Sequence, residues 1–73
     1  MAKKSKSAVY RVTEVIGTSS QSWEDAARSA VTTASKSLRD LRIAEVTKLD
    51  VKVVDGKVTQ FRTRLSLSFK YGA

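Results

Sequence analysis

The sequence contains no cysteine and no histidine among its 73 residues. Disulfide bonds are therefore excluded, and the side chains that most often bind transition metals are missing. A domain of this length buries only about 60% of the surface that its unfolded chain exposes, so one core provides a small margin of stability. Oligomerisation is the remaining common remedy. We therefore expect a single domain that assembles with copies of itself.

Long apolar segments are also missing. No run approaches the roughly 18 residues that a membrane helix needs, and no signal-peptide core follows the basic start. We therefore expect a cytoplasmic protein with no membrane partner.

The net charge is +7, from 14 lysines and arginines against 7 acidic residues. Lys3, Lys4 and Lys6 lie within residues 1–7, which we expect to form a flexible basic tail. The other cations are dispersed along the chain, a pattern that attracts polyanions without specifying one. Binding to nucleic acid is therefore the less favoured interpretation.

Patterns typical of catalysis are absent as well. The sequence has no nucleophile elbow and no glycine-rich phosphate loop. Ser19, Ser20 and Ser22 have no histidine that could act as their base. The sequence predicts a binding protein rather than an enzyme.

The apolar pattern begins with a strand followed by a helix. Residues 8–16 are rich in β-branched and aromatic side chains, and we expect Gly17 to end this strand. Ser22 and Asp25 approximate a capping box, which predicts the start of a helix of about four to five turns. Its apolar stripe recurs at three- and four-residue steps and comprises Trp23, Ala26, Ala27, Ala30, Val31, Ala34 and Leu38.

Two further strands complete the predicted order β-α-β-β. The pattern from residue 41 to residue 54 indicates a strand, and Asp55-Gly56 is a strong hairpin signal. The last strand alternates, with its apolar side chains expected to cover the helix. These are Phe61, Leu65, Leu67, Phe69 and Tyr71, with Thr63 among them.

The hairpin turn also predicts a register. If Val54 pairs with Lys57, then simple antiparallel pairing places three further pairs opposite each other, Leu49 with Arg62, Thr47 with Arg64 and Glu45 with Ser66. The face away from the helix should then carry Ile43, Glu45, Thr47, Leu49, Gln60, Arg62 and Arg64.

This face is the candidate ligand site. Arg62 and Arg64, with Gln60 alongside, could hold a phosphate or carboxylate group. The alternative is a solvated face with a diagonal ion pair between Glu45 and Arg64, which would contribute little to stability.

The aromatic and acidic side chains near the predicted start of the helix could serve either the structure or ligand binding. We expect Trp23 to pack in the core or at a subunit interface rather than to stack on a ligand. Glu24 and Asp25 are explained by the helix dipole. Calcium held at an assembly axis with Glu14 or Glu45 remains an open alternative.

Four motifs, in this order and spacing, resemble those of the dodecins. They are Val-Ile-Gly-Thr-Ser at 15–19, Ser-Trp-Glu-Asp-Ala at 22–26, Leu-Arg-Ile-Ala-Glu-Val at 41–46 and Leu-Ser-Leu-Ser-Phe at 65–69. The resemblance assigns residues 8–73 to one dodecin-like domain. It implies an α+β fold in which a three-stranded antiparallel sheet wraps one helix, and a hollow homododecamer that binds or stores flavins such as riboflavin, FMN or FAD.

The sequence departs from this family at the flavin site. The tryptophan that stacks on flavin in the family is matched by Ile43, and the glutamine that hydrogen-bonds the flavin ring is matched by Arg62. Isoleucine has no aromatic plane and arginine has no acceptor. The resemblance therefore implies flavin binding that is weakened or lost. An anionic ligand, or a structural or calcium-stabilised cage, is the alternative, and the candidate ligand-binding residues are Ile43, Glu45, Gln60, Arg62 and Arg64.

Overall fold

The computed structural model describes residues 7–71 and confirms the predicted order of elements. Along the chain come strand β1 (Tyr10–Ser19), helix α1 (Trp23–Ser35), strand β2 (Leu41–Val54) and strand β3 (Lys57–Lys70). The strands form one antiparallel sheet in the order β1-β3-β2. Most of the segment in which we predicted a basic tail, residues 1–6, lies outside the described residues.

Gly17 lies inside β1 rather than at its end, so the predicted strand boundary is wrong. The strand continues for two residues beyond it, to Ser19. Gly17 is buried beneath α1, and a Cβ atom placed on it would collide with the backbone carbonyl of Ala26 and lie 2.9 Å from Cβ of Ala30. The glycine is thus explained by the close approach of helix and strand, and not by a turn.

Helix α1 begins where predicted, but its cap is built differently. Ser22 is the N-cap, and its Oγ accepts a 3.0 Å hydrogen bond from the backbone N–H of Asp25. The Asp25 carboxylate does not complete a capping box, because it accepts a 2.7 Å hydrogen bond from Oγ of Ser19. Ser19 Oγ in turn accepts from the backbone N–H of Gln21 at 2.9 Å. The end of β1 therefore takes part in starting the helix.

The helix is about one turn shorter than predicted. It has 13 residues and ends at Ser35, so Leu38 lies beyond it. The backbone N–H groups of Lys36 and Leu38 donate to the carbonyls of Thr33 and Ala34, which closes the last turn and directs the chain towards β2. Leu38 remains half-buried, which explains why it continued the apolar pattern of the helix.

The core lies between α1 and the centre of the sheet. The predicted alternation of β3 is confirmed from Thr63 to Phe69: Thr63, Leu65, Leu67 and Phe69 are buried, whereas the side chains between them are not. Tyr71 was also predicted to cover the helix, but it lies beyond the strand and is 58% exposed. The helix packs mainly on β1 and β3. Apolar side chains that β2 places on the helix side of the sheet, such as Val46 and Leu49, therefore remain exposed. No helix within residues 7–71 is both long and apolar enough to cross a membrane.

The chain is elongated for its size. Its radius of gyration is 15.7 Å, against about 11 Å for a globular chain of this length, and its longest dimension is 62 Å. Strand β1 pairs with β3 only as far as Phe61, so the hairpin extends past the rest of the sheet. The valines of this extension, Val53, Val54 and Val58, are exposed.

Candidate ligand-binding face

The register of the β2–β3 hairpin agrees with the prediction beside the turn and again from Ile43 to Val46, but not between these segments or at Leu41, where a further shift occurs. Asp55 and Gly56 adopt the left-handed conformation, with φ of 52° and 75°, and Val54 pairs with Lys57. The next pair, Val53 with Val58, keeps this register, and the pairing then shifts so that Arg62 lies opposite Asp50 and Arg64 opposite Lys48. The predicted pairs of Leu49 with Arg62 and of Thr47 with Arg64 are therefore wrong.

Two compensating bulges explain this result. Thr59 is the extra residue on β3, and Thr47 is the extra residue on β2. At each bulge the threonine hydroxyl donates a hydrogen bond across the ladder, from Thr59 to the Lys52 carbonyl at 3.3 Å and from Thr47 to the Arg64 carbonyl at 3.2 Å. Because the second shift cancels the first, Glu45 pairs with Ser66 as predicted.

All five candidate ligand-binding residues share the sheet face away from α1, which we call the open face. Leu49 does not, because it pairs with buried Thr63 and lies on the helix side, where it is 52% exposed beside Trp23 and Val46. Reading across β1, β3 and β2, the open face has four rows: Thr18–Arg62–Asp50, Ile16–Arg64–Lys48, Glu14–Ser66–Glu45 and Val12–Ser68–Ile43.

Arg62 forms the strongest polar contact of the open face. Its Nε donates to Oδ1 of Asp50 at 2.7 Å and its Nη2 to Oδ2 at 2.9 Å, a bidentate ion pair. This hydrogen bonding lowers the pKa of Asp50 and raises that of Arg62. Arg62 is therefore already partnered, which the sequence did not indicate.

The predicted diagonal ion pair between Glu45 and Arg64 is not formed. Within residues 7–71 the ion pairs are Arg62–Asp50 and a longer contact of 3.7 Å between Arg42 and Asp40. Lys48 and Asp50 were missed as site residues because the bulges bring them to this face. A hairpin turn carries no signal for a bulge four residues away.

The open face lacks an aromatic ring at the position that would stack on a flavin. Ile43 is 56% exposed and offers aliphatic surface only. Trp23 lies on the helix side, where its ring meets that of Phe61 edge-on at 5.1 Å and its indole N–H donates to the Asp50 carbonyl at 3.0 Å. The prediction that Trp23 is a packing residue agrees with these contacts.

The acidic side chains of one chain do not by themselves form a calcium site. Glu14 and Glu45 lie on either side of Ser66 in one row of the open face. No group of three or more acidic side chains that could hold a metal ion occurs in the described part of the chain. Calcium takes six to eight oxygen ligands. A calcium ion on this face would therefore need further oxygen ligands, from other copies of the chain, from backbone carbonyls or from water.

Together, the fold and the face define a class: small α+β proteins in which a three-stranded sheet curves around one helix and leaves its other side open. The family model described as Dodecin matches residues 9–72. The chain belongs to the dodecin family.

Relatives of known structure agree with this assignment. The dodecin from Streptomyces coelicolor has a TM-score of 0.86 and 40% sequence identity, covering 94% of this chain and 99% of that one. A Mycobacterium tuberculosis protein named calcium dodecin is 48% identical over 63 residues, covering 85% of this chain and 87% of its own. A crystal structure of calcium dodecin from that organism, described as having a novel calcium-binding site, has a TM-score of 0.78 and 44% identity, covering 89% and 93%.

Proposed function

We propose that the chain is the subunit of a homododecameric shell that binds a small ligand on its open face without catalysing a reaction. The observation that carries this proposal is the open face itself, where apolar Val12 and Ile43 lie beside rows of charged side chains. A face with both characters suits a ligand or ion held between copies.

Self-assembly is supported by the apolar surface that one chain leaves uncovered. Scattered apolar side chains are normal on a protein surface, but contiguous patches mark interaction sites. Here large exposed apolar side chains occur on the open face, on the helix side of β2 and at the hairpin end. The large exposed ones include Val12, Ile16, Ile43, Val46, Leu49, Val53, Val54 and Val58.

Calcium is the ligand that we favour. The relative named calcium dodecin supports it, and so does the row that places Glu14 and Glu45 on either side of Ser66. Carboxylate oxygens are among the ligands that calcium prefers, and symmetry-related copies would add further carboxylates to the coordination sphere.

Flavin is the second candidate, because it is the ligand that the family resemblance implies. Ile43 could still bury apolar surface against a flavin ring. The stacking contribution would be lost, which is worth about 0.5–1.5 kcal/mol beyond burial. The Arg62 guanidinium is engaged by Asp50 and offers no acceptor. We therefore expect riboflavin, FMN and FAD to bind weakly.

Calorimetric titration of the assembled protein with calcium tests the proposal. We expect binding by the wild type and a loss of at least tenfold in affinity for Glu45→Gln, since one charged ligand per chain is removed. Glu24→Gln is the matched control, because Glu24 lies on α1 and not on the open face. Riboflavin, followed by quenching of its fluorescence, is titrated in parallel. Binding of riboflavin but not calcium would assign the shell to flavin; binding of neither would contradict the proposal.

A further inference from the structure

Two cations lie directly opposite each other on the open face. The shift between the two bulges pairs Lys48 with Arg64 across β2 and β3. Like charges at directly opposed positions of an antiparallel pair destabilise a sheet. No ion pair is formed by either side chain within residues 7–71. The arrangement is therefore unfavourable unless an anion lies between them.

The nearby acidic groups do not neutralise this pair. Asp50 is bonded to Arg62, and its pKa is lowered first by that hydrogen bond and then by the charges of Arg62, Arg64 and Lys48. One carboxylate thus stands among three cations, which leaves a surplus of two positive charges. Glu14 and Glu45 lie in the next row, on either side of Ser66, and neither forms an ion pair with Arg64 or Lys48.

We propose that Lys48 and Arg64 form an anion site for the phosphate group of a small molecule. Arg62 lies at the edge of this anion site, where it is hydrogen-bonded to Asp50. A phosphate monoester carries about −1.5 to −2 charges at neutral pH, which matches the surplus. A guanidinium fork binds two phosphate oxygens and an ammonium group supplies a point charge beside it.

This inference rests on the proposed function, because it assumes that the open face binds ligands, and it names the chemistry of one part of that face. It also relocates the anion site predicted from the sequence. Of the two arginines predicted there, Arg62 is already paired with the Asp50 carboxylate. Arg64 can bind an anion together with Lys48, which the predicted register did not place on this face.

Phosphorus NMR of inorganic phosphate titrated with the assembled protein is the first test. For the wild type we expect line broadening that saturates as protein is added. The double variant Lys48→Gln/Arg64→Gln should bind phosphate about tenfold or more weakly, because two charged contacts are lost. Arg64→Lys should weaken it less, since charge remains but the fork is lost. Arg39→Gln, which removes an exposed cation after α1, is the control and should bind like the wild type.

Riboflavin and FMN distinguish the source of the phosphate, since they differ by one phosphate group. Tighter binding of FMN, lost in the double variant, would assign the site to a phosphomonoester; binding of inorganic phosphate alone would assign it to the free anion. The proposal is overturned if the double variant binds both as the wild type does, or if Arg39→Gln loses as much. Neither calcium nor riboflavin carries phosphate, so the anion site and the proposed function can fail separately.

Discussion

Among single residues, Asp50 has the greatest influence on the charge of the open face. Its carboxylate interacts with the charges of Arg62, Arg64 and Lys48, and the first bulge brings it opposite Arg62. Its bidentate contact neutralises one guanidinium and orients it across the strand. Asp50 thereby limits how much positive charge this face presents to a ligand.

Replacing Asp50 with asparagine should strengthen anion binding. The change frees Arg62 and raises the surplus on the face from two positive charges to three. We expect inorganic phosphate to bind several-fold more tightly, an effect that shrinks as salt is added because the site is exposed. Titration at low and high ionic strength measures it. An affinity equal to that of the wild type at low salt would show that Arg62 and its partner lie outside the anion site.

The same ion pair predicts a pH dependence of stability. The pKa of Asp50 is lowered from 3.8 in the folded chain, chiefly by the hydrogen bond from Arg62. Its contribution is therefore fully present above the ordinary value and is lost as the pH falls through the lowered value. Urea unfolding of wild type and Asp50→Asn across the acid range should show the two curves converging. The difference in the free energy of unfolding between the two proteins should be small, because the side chains of Arg62 and Asp50 are 39% and 48% exposed.

Gly17 and Gly56 should respond differently to alanine. Gly17→Ala forces α1 away from β1, because its Cβ would overlap the Ala26 carbonyl, and overpacking of this kind costs about 1–3 kcal/mol or more. Gly56→Ala meets no atom within 4 Å but keeps a positive φ of 75°. That conformation costs an alanine about 1–2 kcal/mol. Chemical denaturation should place Gly17→Ala as the more destabilising change, and the reverse order would contradict the close helix–strand contact.

At the scale of elements, the hairpin shows why the fold was more predictable than the site. Strand β2 was predicted with its correct bounds, because alternation, length and the Asp55-Gly56 turn all indicate a strand pair. The contacts of its side chains depend on single-residue shifts at Thr47 and Thr59. Each shift adds one unpaired residue to one strand of the hairpin, and the composition of the strands does not reveal where this happens.

The same distinction explains the ends of α1 and β1. The helix start was readable because Ser22 caps locally, within three residues. The strand end at Ser19 was not, since it depends on contacts between Ser19, Asp25 and the helix that follows. Gly17 was predicted to end the strand because a glycine needed for close packing and a glycine that ends a strand look alike in sequence.

Removal of the N-cap of α1 should measurably lower the free energy of unfolding. Ser22→Ala removes the acceptor of the Asp25 backbone N–H, and such N-cap losses cost about 0.5–2 kcal/mol. Ser20→Ala is the matched control, because Ser20 is exposed and is not the cap. Unfolding free energies from denaturant titration compare the two. Equal stability of both variants would indicate that Ser19 and Asp25 start the helix without the Ser22 hydroxyl.

For the whole molecule, the elongated shape and the incomplete core point in the same direction. Among residues 7–71 the buried apolar side chains are Ala26, Leu65, Leu67 and Phe69, which form a small core for a structure 62 Å long. The long hairpin and the uncovered helix side of β2 increase the surface that remains exposed to solvent when one chain folds alone. Association of copies would bury this surface and supply the stability that one chain lacks.

The apolar groove beside Trp23 provides a test of that association. Leu49 and Val46 line it and are about half exposed in one chain, at 52% and 50%. If a second copy covers the groove, Leu49→Asp replaces a buried leucine with a charge, which removes about 1.5–3 kcal/mol of burial per subunit and adds a desolvation cost. We expect sedimentation velocity to show a dodecamer for the wild type and smaller species for this variant. Thr32→Asp, on the exposed side of α1, should sediment like the wild type. A dodecamer that persists in Leu49→Asp would mean that the copies associate through the open face or the hairpin end, with the groove left in solvent.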